Sequence, residues 1–218
     1  MRTTARLTAR LAGLGMAVML FGTAACSGAQ KPTPAQQAQP ASPYQATRLP
    51  PSFRLPDTRL TGTDGRPYDL RERTAGKISM LFFGFTHCPD ICPTTMADVS
   101  GAMRLLTPAE RGKVQVIFIS ADPARDTPRA LKAFLGRFDP SFAGLTGPAK
   151  KIHKAAADVK ISVSDPPARS KGDYIVSHGS QVLVFGPDGV GRLLFSYGTS
   201  AGPMARDLKT LIGREGLR

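Results

Sequence analysis

The hydrophobic positions of this chain fall into short unbroken runs that alternate with stretches of helical spacing. Ile78 to Phe85 (ISMLFFGF) is almost continuously apolar, the pattern of a strand buried on both faces. Val114 to Ile119 (VQVIFI) predicts a second such strand. Between them Met96, Val99, Met103 and Leu106 recur at i, i+3, i+7 and i+10, which places them on one face of a helix. Thr127 is set to cap a further helix with Pro128 in its first position, and Leu131, Phe134, Leu135 and Phe138 supply its apolar stripe. Pro148 to Val159 predicts another helix, with Ile152 and Val159 inward. Val182–Phe185 and Leu193–Tyr197 read as strands around the turn of residues 186–189, and Met204 to Ile212 as a closing helix. Asp64-Gly65 is a turn signal inside a hairpin expected over residues 58–70.

Periodicity by itself supports an α/β domain with a mixed sheet. The order of elements goes further. Strand, helix, strand, helix, then a hairpin and a helix is the order of a thioredoxin-like sandwich, a central mixed β-sheet flanked by helices. The folded part is expected to begin near Phe53, which gives one domain over residues 52–218 with appendages before it.

Those appendages differ in composition. Arg2, Arg6 and Arg10 precede an uncharged, mostly apolar stretch from Leu11 to Ala25, shorter than the roughly 20 residues of a comfortable membrane span. It ends in Thr23-Ala24-Ala25-Cys26, small residues followed by a cysteine. Residues 1–25 therefore resemble a bacterial lipoprotein signal peptide, whose cleavage leaves Cys26 as the lipidated first residue. Ordinary cleavage after Ala25 satisfies the same small-x-small rule, and Thr23 stands where lipoprotein signals usually carry Leu. Both readings export the protein, and lipidation would anchor it to the outer face of the bacterial cytoplasmic membrane. Residues 26–51, rich in Pro, Gln, Ala and Ser, are expected to be a flexible linker. The formal charge of +13 raises the question of nucleic acid, but no five-residue basic tract occurs and Lys150, Lys151 and Lys154 form the densest cluster. A scattered basic surface argues against a nucleic-acid partner and leaves attraction to anionic lipid headgroups as the alternative use.

The chemistry gathers in residues 84–93. Cys88 and Cys92 follow a buried strand and open a helix, with Pro93 suited to the first helical position. The partial positive charge of a helix N-terminus favours thiolate over thiol, so both cysteines are expected to be activated by position. Three intervening residues widen the bite relative to a two-residue spacing, so the two sulfurs can hold one soft ion or close a redox-active disulfide. An exported cysteine pair can also be a purely structural disulfide. Structural zinc would want four protein ligands, and no second cysteine pair lies nearby. Two thiolates suit Cu(I), and an added imidazole makes a three-coordinate site that also accepts Cu(II). Three histidines are available. His153 belongs to a Lys-rich helix face and reads as solvated; His87 lies on the strand side of Cys88 and is expected to point away. His178, after a polar loop and just before a buried strand, is the candidate third ligand. Asp90 reads as turn chemistry or partner recognition, Asp122-Pro123 as a loop-shaping device near the site, and Met96 as core.

GFTHCPDICPTTM, residues 84–96, resembles the signature of the Sco (SenC/PrrC) family. Residues 120–128 (SADPARDTP) and 173–189 (DYIVSHGSQVLVFGPDG) resemble its second and third characteristic segments, and the likeness spans about residues 53–212. The resemblance implies a copper metallochaperone that assists assembly of the CuA centre of cytochrome c oxidase. Its copper ligands carry over to Cys88, Cys92 and His178. The implied partners are the CuA-bearing oxidase subunit and an upstream copper donor. Thioredoxins place a cis-proline in the loop that here reads Val176-Ser177-His178-Gly179, and this departure argues against a general disulfide oxidoreductase. Two other functions fit the same residues: a dedicated thiol-disulfide reductase of CuA-site cysteines, which needs only Cys88 and Cys92, and a copper- or redox-sensing module.

Overall fold

The computed structural model describes residues 42–166 and 174–217. The expected signal segment, Cys26 and most of the expected linker lie outside the described residues. An eight-stranded mixed sheet runs through the domain in the order β1-β8-β7-β4-β5-β6-β2-β3. Its strands are β1 (Thr47–Arg48), β2 (Arg59–Gly62), β3 (Pro67–Asp69), β4 (Ile78–Gly84), β5 (Val114–Ser120), β6 (Ala143–Thr146), β7 (Val182–Phe185) and β8 (Gly191–Phe195). β4, β5 and β6 are parallel to one another, and β7 returns antiparallel on β4. All seven residues of β4 are buried, as a run without alternation requires.

The side chains of β4 divide the core in two. Ile78, Met80 and Phe82 join residues of α2 (Ile91–Arg104), α4 (Pro128–Leu135) and α6 (Ala201–Arg214) on one face. Leu81 and Phe83 meet Leu70 of α1 (Leu70–Thr74) and Ile152, Ala155 and Ala156 of α5 (Ala149–Asp158) on the other. This is the two-sided sandwich that the order of elements predicts. Thr127 caps α4 through its side chain, with Pro128 in the first turn as expected. The hairpin, both buried strands and the closing helix also fall where the pattern puts them, although α6 extends beyond Met204–Ile212 at both ends. A four-residue helix, α3 (Pro108–Arg111), follows α2 and starts with a capping box between Thr107 and Glu110.

The start of the fold differs from expectation. Thr47 and Arg48 pair with Leu194 and Leu193, and the backbone N–H groups of Gln45 and Ala46 donate to the buried Asp207 carboxylate at 3.1 and 2.7 Å. Residues 44–49 therefore belong to the packed domain and not to the linker, because an edge strand and a buried acceptor satisfy backbone that composition alone leaves unassigned. Short β1, β6 and α1 escape a periodicity reading because two to five residues hold too few repeats to show a pattern.

The register fixes one feature that bears on the site. β7 starts where β4 ends, β8 ends beside that point (Val182 opposite Phe195), and β1 begins there too (Thr47 opposite Leu194). The chain thus enters the domain at the end of the sheet that carries the cysteines.

Candidate metal centre

β4 ends at Gly84, where space is so limited that a Cβ would stand 2.7–2.8 Å from the rings of Phe82 and Phe118. The chain then turns through residues 85–90 into α2. Expectation put Pro93 first in this helix. The helix instead opens at Ile91, with Asp90 as its N-cap, so Cys92 is the second residue and Pro93 the third. Pro93 is tolerated there because the first turn of a helix has no intrahelical use for its N–H groups. One of those free donors, the Cys92 N–H, points to Cys88 Sγ at 3.3 Å. The helix end thus addresses the sulfur of Cys88, which lies in the loop and is partly exposed.

Cys92 is fully buried and packs in the core with Met96, Val176 and Phe85. Burial pushes its thiol well above the ordinary 9.0, against a backbone hydrogen bond at Phe85 that pulls the other way. This corrects the expectation that both cysteines are activated by the helix terminus: for Cys92, loss of solvation outweighs the dipole. Both cysteines are free thiols.

His178 reaches the same point from a different part of the chain. Its loop pairs with residues 162–164: Gly179 N–H donates to the Ser162 carbonyl at 2.9 Å, Ser164 N–H to the Ser177 carbonyl at 2.8 Å, and Val163 bridges to His178 itself. The imidazole stands edge-on to two rings, with centroids 5.9 Å from Phe82 and 5.7 Å from Phe85. Nδ1 lies 2.9 Å from the Gly179 carbonyl oxygen, which can only accept, so Nδ1 carries the proton. The lone pair is left on Nε2, which faces Cys92 Sγ at 3.4 Å. Desolvation also holds the imidazole below its ordinary 6.5, so at neutral pH it is uncharged. The ligand atoms of Cys88, Cys92 and His178 all lie within 4.8 Å of one another, and among the described residues no other group of three or more His, Cys, Asp or Glu could hold a metal. Two sulfurs and one oriented imidazole nitrogen form a donor set for a soft or borderline ion, few enough to be exchanged.

The remaining histidines stand elsewhere. His87 is half exposed and turns its ring to the Thr86 hydroxyl, 3.1 Å away. His153 is less solvated than expected; its Nε2 pairs with Asp165 at 3.6 Å. Met96 is core, as expected.

Two buried carboxylates that support the site are less visible in the sequence. Asp126 accepts from the Thr86 N–H at 3.1 Å, from the Thr86 hydroxyl at 2.7 Å and from Ser120 at 2.7 Å, so it fixes the start of the cysteine loop. Asp122 accepts from the Tyr174 hydroxyl at 2.8 Å and pairs with Arg125. Both fall in the 120–128 segment that the family resemblance singles out, but only the tertiary structure shows what they hold.

Residues 45–213 match the SCO1/SenC family. A protein of Stutzerimonas stutzeri is 37% identical over 141 residues, 65% of this chain and 68% of the relative. Protein SCO2, mitochondrial, of Saccharomyces cerevisiae is 38% identical over 60% of this chain and 43% of its own length, so the chain spans less than half of that relative. The structure of Bradyrhizobium japonicum ScoI with copper bound superposes with a TM-score of 0.61 at 31% identity, covering 76% of this chain and 98% of ScoI. With the sandwich, the cysteine pair and the opposed histidine in place, this chain belongs to the SCO1/SenC family.

Proposed function

We propose that this protein carries one copper ion on Cys88, Cys92 and His178 and assists assembly of the CuA centre of cytochrome c oxidase. The observation that carries the reading is the convergence of two thiols and an imidazole, pre-set in the right tautomer, within 4.8 Å at a helix terminus. Family membership and the copper-bound ScoI neighbour support the choice of metal. A carrier must also release its cargo. Three ligands, one of them on a partly exposed loop cysteine, leave coordination positions for an incoming donor or acceptor. The apolar side chains beside the site suit contact with such proteins: Ile91, between the cysteines, and Ile175, three residues before His178, are two of the four exposed large hydrophobics among the described residues.

A thiol-disulfide reductase of the CuA cysteines would use the same pair and needs only those two thiols. The oriented Nε2 of His178, 3.4 Å from Cys92 Sγ, supplies a third donor that copper carriage uses and a reductase does not. The test is a copper titration of the reduced domain from residue 42 onward, followed by transfer to an apo CuA subunit. Stoichiometric uptake and transfer are expected; reduction of a CuA disulfide without copper uptake would replace this reading with the reductase.

We further propose export and lipidation at Cys26, supported by the basic start, the apolar stretch and the small residues before that cysteine. Residues 27–41 would then be the tether. Cys26→Ser should shift the protein from the detergent to the aqueous phase, since at least two acyl chains are needed for stable anchoring; unchanged partitioning would remove the lipid from this scheme.

A further inference from the structure

The side chains that grip the histidine loop take no part in the chemistry proposed above, yet they are built at some cost. Asp122 is fully buried. A carboxylate in that position is strongly unfavourable unless it is paired and hydrogen-bonded. Here it is both: the Tyr174 hydroxyl donates to Oδ1 at 2.8 Å, Arg125 Nε to Oδ2, and the Asp122 backbone N–H is held by Ser120 Oγ at 3.0 Å. Arg125 then turns back on Tyr174. Its Nη2 donates to the Tyr174 carbonyl at 2.8 Å, and its guanidinium lies 3.5 Å from the centre of the tyrosine ring. Tyr174 is therefore fixed at its hydroxyl, its ring face and its main chain, all by residues that follow β5.

Val176, buried, and His178 come directly after this grip, and β7 does not begin until Val182. No continuous ladder sets the position of the imidazole. The short pairing with residues 162–164 ties the loop on one side, and Tyr174 ties it on the other. A buried charged network adds little net stability over apolar packing; what these contacts do is hold Tyr174 at three points.

We propose that Asp122, Arg125 and Tyr174 form a clasp that sets the position of His178 and thereby biases the site between Cu(II) and Cu(I). The inference rests on the copper reading above. Two thiolates suffice for Cu(I), whereas Cu(II) draws more on the imidazole nitrogen. A small displacement of Nε2 from its place 3.4 Å from Cys92 Sγ should therefore fall chiefly on Cu(II). The three clasp residues are positioning residues and touch no metal.

The test is Tyr174→Phe, which removes the hydroxyl and keeps the ring beneath Arg125, with Asp122→Asn as a second variant. Affinities for the two valences are measured by competition with Cu(I)- and Cu(II)-selective chelators. Cu(II) affinity is expected to fall by about 10–100-fold, the usual range for outer-shell changes, with a changed Cu(II) spectrum and near wild-type Cu(I) affinity. Placed in a His178→Ala background, Tyr174→Phe should cost no further Cu(II) affinity, because the clasp acts through the imidazole. Unchanged Cu(II) binding in both variants, an equal loss for both valences, or full additivity with His178→Ala would each overturn the clasp. Amide exchange of the metal-free protein probes the loop independently of copper: the Ser164 and Gly179 N–H groups should exchange faster in Tyr174→Phe, and unchanged exchange counts against the clasp. Wild-type protein that takes up no copper would instead overturn the copper reading, with the exchange comparison still deciding whether the loop is held.

Discussion

The two halves of the site are held in different ways. The cysteine half is part of the frame: Cys92 is the second residue of a fourteen-residue helix, fully buried, and Cys88 caps one of that helix's free N–H groups with its sulfur. The histidine half is a loop without strand or helix, tied by a two-sided hydrogen-bonded pairing and the Tyr174 network. The difference teaches that a site can have one rigid jaw supplied by backbone periodicity and one adjustable jaw supplied by side chains. On the proposed reading this would also divide the chemistry: the cysteine jaw would offer the soft sulfurs, and the histidine jaw the nitrogen on which Cu(II) draws more than Cu(I).

Removing a sulfur should have the largest effect on copper. Cys88→Ala or Cys92→Ala should abolish stoichiometric binding of either valence, read as copper retained after desalting, because one thiolate and one imidazole do not hold Cu(I) against competing thiols. Truncating the other jaw is milder and selective. His178→Ala should weaken Cu(II) by at least about 10–100-fold and Cu(I) far less, measured by chelator competition. Equal binding of both valences would show that the nitrogen is not a ligand.

Protons sharpen the contrast. Cys92 is raised above 9.0 and is a thiol at pH 7, so copper must displace its proton, and apparent affinity should rise by about ten-fold per pH unit from that residue alone between pH 7 and 9. His178 is depressed below 6.5, so it contributes no such slope there and competes for protons only at lower pH. The same shifts predict the stability of the metal-free fold. The raised thiol contributes stability that is present below pH 9 and is lost as pH rises above it. The depressed imidazole contributes stability that is present above pH 6.5 and is lost as pH falls. Thermal melts should therefore peak between those limits, and a monotonic profile would contradict one of the two burials.

The smallest expected effect on copper comes from the support of the rigid jaw. Thr86→Val deletes the 2.7 Å bond from the Thr86 hydroxyl to Asp126, at a cost of about 1.5–3 kcal/mol in a denaturant melt, the range for a hydrogen bond to a charged group. Copper affinity should hardly change, since the helix and the Thr86 N–H still fix the loop. A large loss of affinity would mean that the cysteine jaw also depends on side chains.

The frame of the fold follows from the order of apolar and polar residues. Continuous apolar runs must be buried on both faces, which makes β4 and β5 central strands. An i, i+3, i+7 stripe makes α2 a one-faced helix on the sheet, and the ligand-bearing loops then fall at the ends of known elements. The two cysteines and the histidine were legible as residue types in such loops, because only three cysteines and three histidines occur in the chain. Tertiary structure alone decided the rest. Whether Cys92 is activated depends on a balance between a helix dipole and desolvation, and burial is a property of the packed core, not of the local segment. The tautomer of His178 depends on one carbonyl, and the roles of Asp122, Asp126 and Tyr174 on contacts between residues 40 to 52 positions apart. The entry of the chain through β1 has the same origin: two residues cannot show a repeating pattern, and only the open edge of β8 tells them to form a strand.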